Sequence, residues 1–183
     1  MAHNAVGLVE LTSIASGFLV ADTMLKAGPV DLLVSRTICS GKYMVLIGGE
    51  VDAVQAAVEA GERAGGSAVI DTCIIPNLHP AVFPALTGAQ VVERLAALGV
   101  IESFSVAALI EAADAAVKAA AVELLEIRLA MALGGKAFVT LTGDVEAVRA
   151  AVEAGAAAVA AKGLLVNQVI IPGPRPELLR EIL

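Results

Sequence analysis

Cys39 and Cys73 are the side chains of this 183-residue sequence best suited to hold a soft metal, and neither has the company that catalysis needs. Thiolates are soft-metal ligands, so a thiol or a metal role stays open for both cysteines. The two histidines, His3 and His79, are not spaced with carboxylates as a metal site. No Gly-x-Ser-x-Gly elbow, Walker loop or dinucleotide-type glycine loop occurs. The carboxylates fall on helical faces and not in pairs at loop tips, so enzymatic turnover is not expected.

The bulk properties narrow the field further. The formal charge is −7 and the isoelectric point about 4.8, with no Lys/Arg cluster of the kind that neutralises phosphates, so nucleic acid is not an expected partner. The chain is 58% hydrophobic yet only 3% aromatic, with no Trp, and its mean hydropathy is +0.84. A membrane-spanning helix needs about 20 predominantly apolar residues in one run. The longest stretch without a charged residue, Thr72 to Val92, is interrupted by Pro76, Pro80 and Pro84, which break a helix. The segment Met1 to Glu10 has no basic region before its apolar residues, so neither a membrane nor a secretory signal is expected and the chain reads as cytosolic. Two cysteines in that setting argue against a disulfide framework. So much apolar surface on a small chain is expected to be buried partly between subunits.

The elements that must carry these residues are written twice. Val6-Gly7-Leu8-Val9-Glu10 returns as Leu98-Gly99-Val100-Ile101-Glu102, a shift of 92 from Glu10 to Glu102. In that register Ala21-Asp22 meets Ala113-Asp114, Lys26 meets Lys118 and Arg36 meets Arg128. The shift becomes 94 from Lys42 to Lys136, and a further slip sets Ile74-Ile75-Pro76 on Ile170-Ile171-Pro172. Each copy is about 85 residues, the size of a small domain, and the halves divide as 1–93 and 94–183, with a closing helix or linker ending the first.

Within the first copy, Ala5 to Leu11 reads as a strand and Ala15 to Ala27 as a helix stopped at Gly28-Pro29. Val30 to Ile38 and Tyr43 to Gly49 read as strands joined by a tight Ser40-Gly41-Lys42 turn. Val51 to Ala64 is an amphipathic helix with Val51, Val54 and Val58 on one face, and Ser67 to Ile75 a last strand. The order β-α-β-β-α-β matches the split βαβ arrangement of ferredoxin-like domains, an α+β fold. Cys73, in an apolar strand, reads as a small core hydrophobe.

On these residues the chain resembles the bacterial microcompartment shell proteins of the tandem-domain type. The resemblance is carried by Gly7 to Glu10, Ala21 to Ala27, Gly41-Lys42-Tyr43, Gly49 to Val54 and Ile75 to Pro80, with Gly143 to Val148 and Ile171 to Pro176 echoing the last two. It implies two BMC domains in unpermuted order and a flat homotrimer of pseudo-sixfold symmetry. Such trimers tile with other shell proteins into the shell of a cytoplasmic organelle around a central pore. The first half is most similar to the propanediol-utilisation branch, through Leu11 to Ala15 and Leu32 to Cys39. In that branch the turn cysteine of three subunits converges on the pore and holds a four-iron four-sulfur cluster.

The resemblance therefore implies a metal role for Cys39, with one cluster per trimer, its fourth iron left to a non-protein or partner ligand, and electron or cluster transfer across the shell to a redox enzyme. Some members carry Pro where this chain has Ser40. Ser40, Gly41 and Lys42 are the implied pore lining, Lys42 offsetting the cluster's negative charge, and Leu133, Gly134 and Gly135 of the longer loop Met131 to Lys136 would alternate with them. Lys26, Lys118, Arg175 and His79 match tile-edge positions. The alternatives are a plain metabolite-conducting pore with Cys39 a simple thiol, and a ligand-binding regulatory oligomer, since tandem ferredoxin-like modules serve both ends.

Overall fold

Two serines one repeat apart start the first helix of each copy. Ser13 Oγ accepts the Ser16 amide at 3.2 Å and Ser105 Oγ the Ala108 amide at 3.3 Å, which satisfies one of the orphan donors at each helix start. The computed structural model describes residues 3–88, 90, 92, 95–130, 133–175 and 177–178. The first copy runs β1 (Ala5–Leu11), α1 (Ile14–Ala27), β2 (Asp31–Ile38), β3 (Lys42–Gly49), α2 (Val51–Gly65) and β4 (Val69–Pro76). After a short helix α3 (Val82–Thr87) the second copy follows as β5 (Ala97–Ser103), α4 (Val106–Ala119), β6 (Glu123–Leu129), β7 (Ala137–Gly143), α5 (Val145–Ala160) and β8 (Leu165–Pro172).

Each copy forms its own four-stranded sheet, ordered β2-β3-β1-β4 and β6-β7-β5-β8, with every neighbouring pair antiparallel. This is the split βαβ order expected from the sequence. Even the irregularities repeat: the pairing with the last strand shifts register between Glu10 and Leu11 in one copy and between Glu102 and Ser103 in the other. The chain divides into two compact units, residues 1–80 and 81–183, so that α3 groups with the second.

In the first unit α1 and α2 cover one face of the sheet, where Val9, Leu11, Val20, Met24, Val45, Ile47, Val54 and Val58 form a core. Val6, Leu8, Met44 and Leu46 on the opposite face are buried as well. Strands buried on both faces read as continuous apolar runs, not as alternation, which accounts for much of the hydropathy. Gly7 lets α2 lie close: a Cβ there would stand 2.5 Å from Val58 Cγ2 and 2.8 Å from Val54 Cγ1. Gly99 does the same for α5, 2.6 Å from Val152 Cγ2. The Gly that opens each strand motif is therefore a packing requirement.

Cys73 departs from the core role expected of it. It lies on β4, an edge strand of mostly half-buried and exposed residues, and is itself half-buried. An edge position leaves one flank of the strand uncovered, which the apolar spelling of the segment did not reveal. Among the described residues no helix is long and apolar enough to cross a membrane.

Candidate functional site

The hairpin of β2 and β3 carries four of the singled-out residues at its tip. Cys39, Ser40 and Gly41 form the loop, closed by the Ile38 and Lys42 pair. Ser40 (φ 66°, ψ 27°) and Gly41 (φ 72°) are both left-handed, the sign that matches the right-handed twist of the flanking strands in a tight hairpin. Glycine enters this region without strain, whereas a residue with a Cβ does so at a cost of about 1–2 kcal/mol. A proline, locked near φ −65°, has no access to it. A proline at position 40 would therefore force a different turn, whereas Ser40 takes the left-handed state.

Further down the hairpin, Ser35 Oγ and the Tyr43 hydroxyl lie 2.9 Å apart, and the Tyr43 ring packs against α1 beside Gly17 and 5.2 Å from the Phe18 ring centroid. The strand stem beneath Cys39 is therefore anchored from two sides. Cys39 is half-buried, and neither cysteine is in a disulfide. Among the described residues no group of three or more His, Cys, Asp or Glu side chains comes together to hold a metal ion. One chain thus offers one thiol at this turn, and a cluster site would need further chains to complete its ligands.

Lys42 has a partner that the sequence reading missed. Its Nζ donates to Glu10 Oε1 at 2.8 Å, with the Glu10 side chain 14% exposed. Glu10 faces Met44 directly across the ladder, so Lys42 is its diagonal neighbour, within reach of a long side chain. The second copy repeats the pair, Lys136 Nζ to Glu102 Oε1 at 2.5 Å. The signal was available: Glu10 and Lys42 recur together as Glu102 and Lys136. Lys42, expected to face a cluster, also pairs with a carboxylate of the same chain.

The corresponding turn of the second unit contains Leu133, Gly134 and Gly135. The Lys136 amide donates to the Leu133 carbonyl at 3.2 Å, and both glycines are left-handed, at φ 63° and 87°. Met131 and Ala132 of that loop lie outside the described residues, as does Pro176.

The four edge candidates sit on separate elements. Lys26 in the last turn of α1 donates to Asp22, and Lys118 in the last turn of α4 to Asp114, each at 2.5 Å. The Ala-Asp-x-x-x-Lys spacing is thus an i,i+4 ion pair that presets the lysine's direction. Arg175 follows β8 and donates through Nη2 to Glu177 at 2.9 Å. That carboxylate holds the exposed guanidinium above its ordinary range, and Glu177 itself is held below its own. His79 follows β4 and is half-buried.

Comparison with known proteins matches residues 5–78 and 97–174 to the BMC domain. The chain is 43% identical over 178 residues to the bacterial microcompartment shell protein PduT of Citrobacter freundii, with 97% of each chain covered. It is 46% identical over 82 residues to the shell protein EutM of Salmonella typhimurium, a match covering 45% of this chain and 83% of that one. A crystal structure of a microcompartment protein from Desulfitobacterium hafniense superposes with a TM-score of 0.95 at 50% identity, covering 98% of this chain and 99% of that one.

Proposed function

This chain belongs to the BMC-domain family of bacterial microcompartment shell proteins, and from that we propose that three copies of it close into a flat tile of the shell with a pore on the threefold axis. Six BMC domains then surround the pore, and the Cys39 turn of each chain alternates with the Leu133-Gly134-Gly135 turn. Three Cys39 thiolates hold an iron–sulfur cluster there, and the tile passes electrons or an intact cluster to a redox enzyme on one side of the shell.

One observation carries the cluster part. Cys39 opens a tight turn whose Ser40 and Gly41 are left-handed, at the end of an anchored hairpin, and the matching turn of the second copy has no cysteine in its sequence. A threefold axis then converges three thiols and leaves one iron for another ligand, in keeping with the four-ligand demand of a [4Fe–4S] centre. When bound, such a cluster supplies one-electron chemistry. The chain's own part is to hold the thiols at a common height, while Leu133 and its neighbours limit water access, which tunes the potential of such a centre.

At the rim, Lys26, Lys118, Arg175 and His79 meet neighbouring tiles. Lys26 and Lys118 stand in the last turns of their helices, each paired with an aspartate one turn earlier.

Anaerobically purified protein tests the cluster directly. About one cluster's iron per three chains and a broad visible absorbance are expected, both lost in Cys39→Ser while the trimer persists. Absence of iron and colour after reconstitution refutes the cluster and leaves the tile. The Glu10–Lys42 pair is the observation behind a second reading, a metabolite-conducting pore, because a carboxylate of the same chain already offsets part of the Lys42 charge. In that case permeation through assembled sheets changes with Cys39→Ala although no iron is present.

A further inference from the structure

We infer that the outer face of α1 and β2 in the first copy is the seat for the last seven residues, Glu177 to Leu183, of a neighbouring copy of this chain. The inference rests on the trimeric tile proposed above and names the contact that locks its subunits together.

The two copies differ most where they are otherwise equivalent. Phe18 is 64% exposed while its counterpart Ile110 is 1% exposed; Ile14 stands at 42% against 4% for Val106, and Leu32 at 43% against 4% for Leu124. The element packed on β6 and α4 is α3, whose Val82, Ala85 and Leu86 are buried. Just beyond it, the Gln90 amide donates to the Leu125 carbonyl at 2.7 Å, satisfying a group on the edge strand β6. The segment that follows the closing strand of copy one thus covers the helix and edge strand of copy two.

The sequence contains a second such segment. With Pro76 set on Pro172, Pro80 meets Pro176, Val82 meets Leu178, Phe83 meets Leu179 and Leu86 meets Ile182. Leu178 and Ile182 are four residues apart in the sequence, the same spacing as the buried Val82 and Leu86. Leu178 is 36% exposed, on the unit whose own α4 and β6 are already covered. The face equivalent to the one α3 covers is that of α1 and β2, carrying Ile14, Phe18 and Leu32. A segment that leaves one copy and docks on the next makes a head-to-tail contact, the kind that builds a ring in the closed trimer proposed above.

A photocrosslink tests this. With Phe18 replaced by p-benzoylphenylalanine, irradiation is expected to give covalent dimers and trimers whose joined peptides link α1 to residues 177–183. Mixing light and nitrogen-15-labelled chains identifies those links as intermolecular. Links within one chain, links to another segment, or none at all overturn the inference. Deleting Glu177–Leu183 is expected to raise the protein concentration needed for half-trimerisation at least tenfold, with the helical circular dichroism retained. An unchanged midpoint overturns it equally. A full-length chain that is not trimeric by native mass spectrometry defeats the tile and this contact together, whereas a trimer without the crosslink defeats only the contact.

Discussion

Replacing Gly7 by alanine tests the closest approach in the first unit. The new Cβ would stand 2.5 Å from Val58 Cγ2, 2.8 Å from Val54 Cγ1 and 3.3 Å from Ile47 Cγ1. Carbon atoms in contact rest at about 3.5–4.0 Å, so α2 must retreat from the sheet by roughly 1 Å or both valines must turn. β-Branched side chains in a helix have essentially one χ1 well, which closes the second route. Val54 and Val58 are 0% and 3% exposed, with no solvent side to yield into. Overpacking of this kind costs about 1–3 kcal/mol, offset by about 0.4–1 kcal/mol from a stiffer unfolded chain. A net loss of about 1–2 kcal/mol lowers Tm by roughly 5–15 °C for a unit of this size.

The assay is thermal and urea unfolding at one fixed protein concentration, because association shifts both midpoints. Val58→Ala removes the nearest methyl group. Alone it costs about 2 kcal/mol through the cavity it leaves, but combined with Gly7→Ala it should fall short of additivity by at least about 1 kcal/mol. A Gly7→Ala protein that melts with the wild type, or strictly additive losses, would refute the packing argument. Gly99→Ala should repeat the loss against Val152 and Leu141, which lie 2.6 and 2.7 Å from its added carbon.

Two other predictions follow from ion pairs. A double-mutant cycle of Glu10→Gln and Lys42→Met should give a coupling of about 0.5–1.5 kcal/mol, kept modest because the Lys42 side chain is 38% exposed and solvent-screened, and shrinking with added salt; a coupling of zero at low salt contradicts the pairing. His3 Nε2 lies 2.7 Å from Asp31 Oδ2, and that hydrogen bond, with the charge of His3 and the chain's amino end, holds the Asp31 carboxyl below its ordinary range. A lowered folded value means that the small stabilisation it gives is complete above the ordinary carboxylate range and is lost as pH falls through the lowered one. His3→Ala should therefore raise the Asp31 midpoint in a carboxyl carbon-13 titration, and an unmoved midpoint counts against the pair.

Much of the fold was legible in spacing. Gly7 and Gly99, Ser13 and Ser105, and the matched Ala-Asp-x-x-x-Lys runs each act through neighbours within a turn or through a face that the helical or strand period exposes. The element order followed from those periods, and the sheet order from the family of that order. The candidate site was legible as a turn but not in its chemistry. Cys39 could be placed at a hairpin end, yet the left-handed state of Ser40 depends on the twist of both strands, and a serine does not announce it as a glycine would.

By itself the sequence determined that one β-α-β-β-α-β pattern is written twice, and with it the helices and strands of each copy. These are set by local spacing and by volumes that recur at a fixed shift. Only the tertiary structure decided that Lys42 is engaged by Glu10, 32 residues away, that Cys73 lies on an edge strand, and that two equivalent helix faces differ among the described residues, one covered by α3 and the other exposing Ile14 and Phe18. Those outcomes depend on register and on which segment arrives at a surface. They are properties of the assembled sheet, and no single stretch of residues contains them.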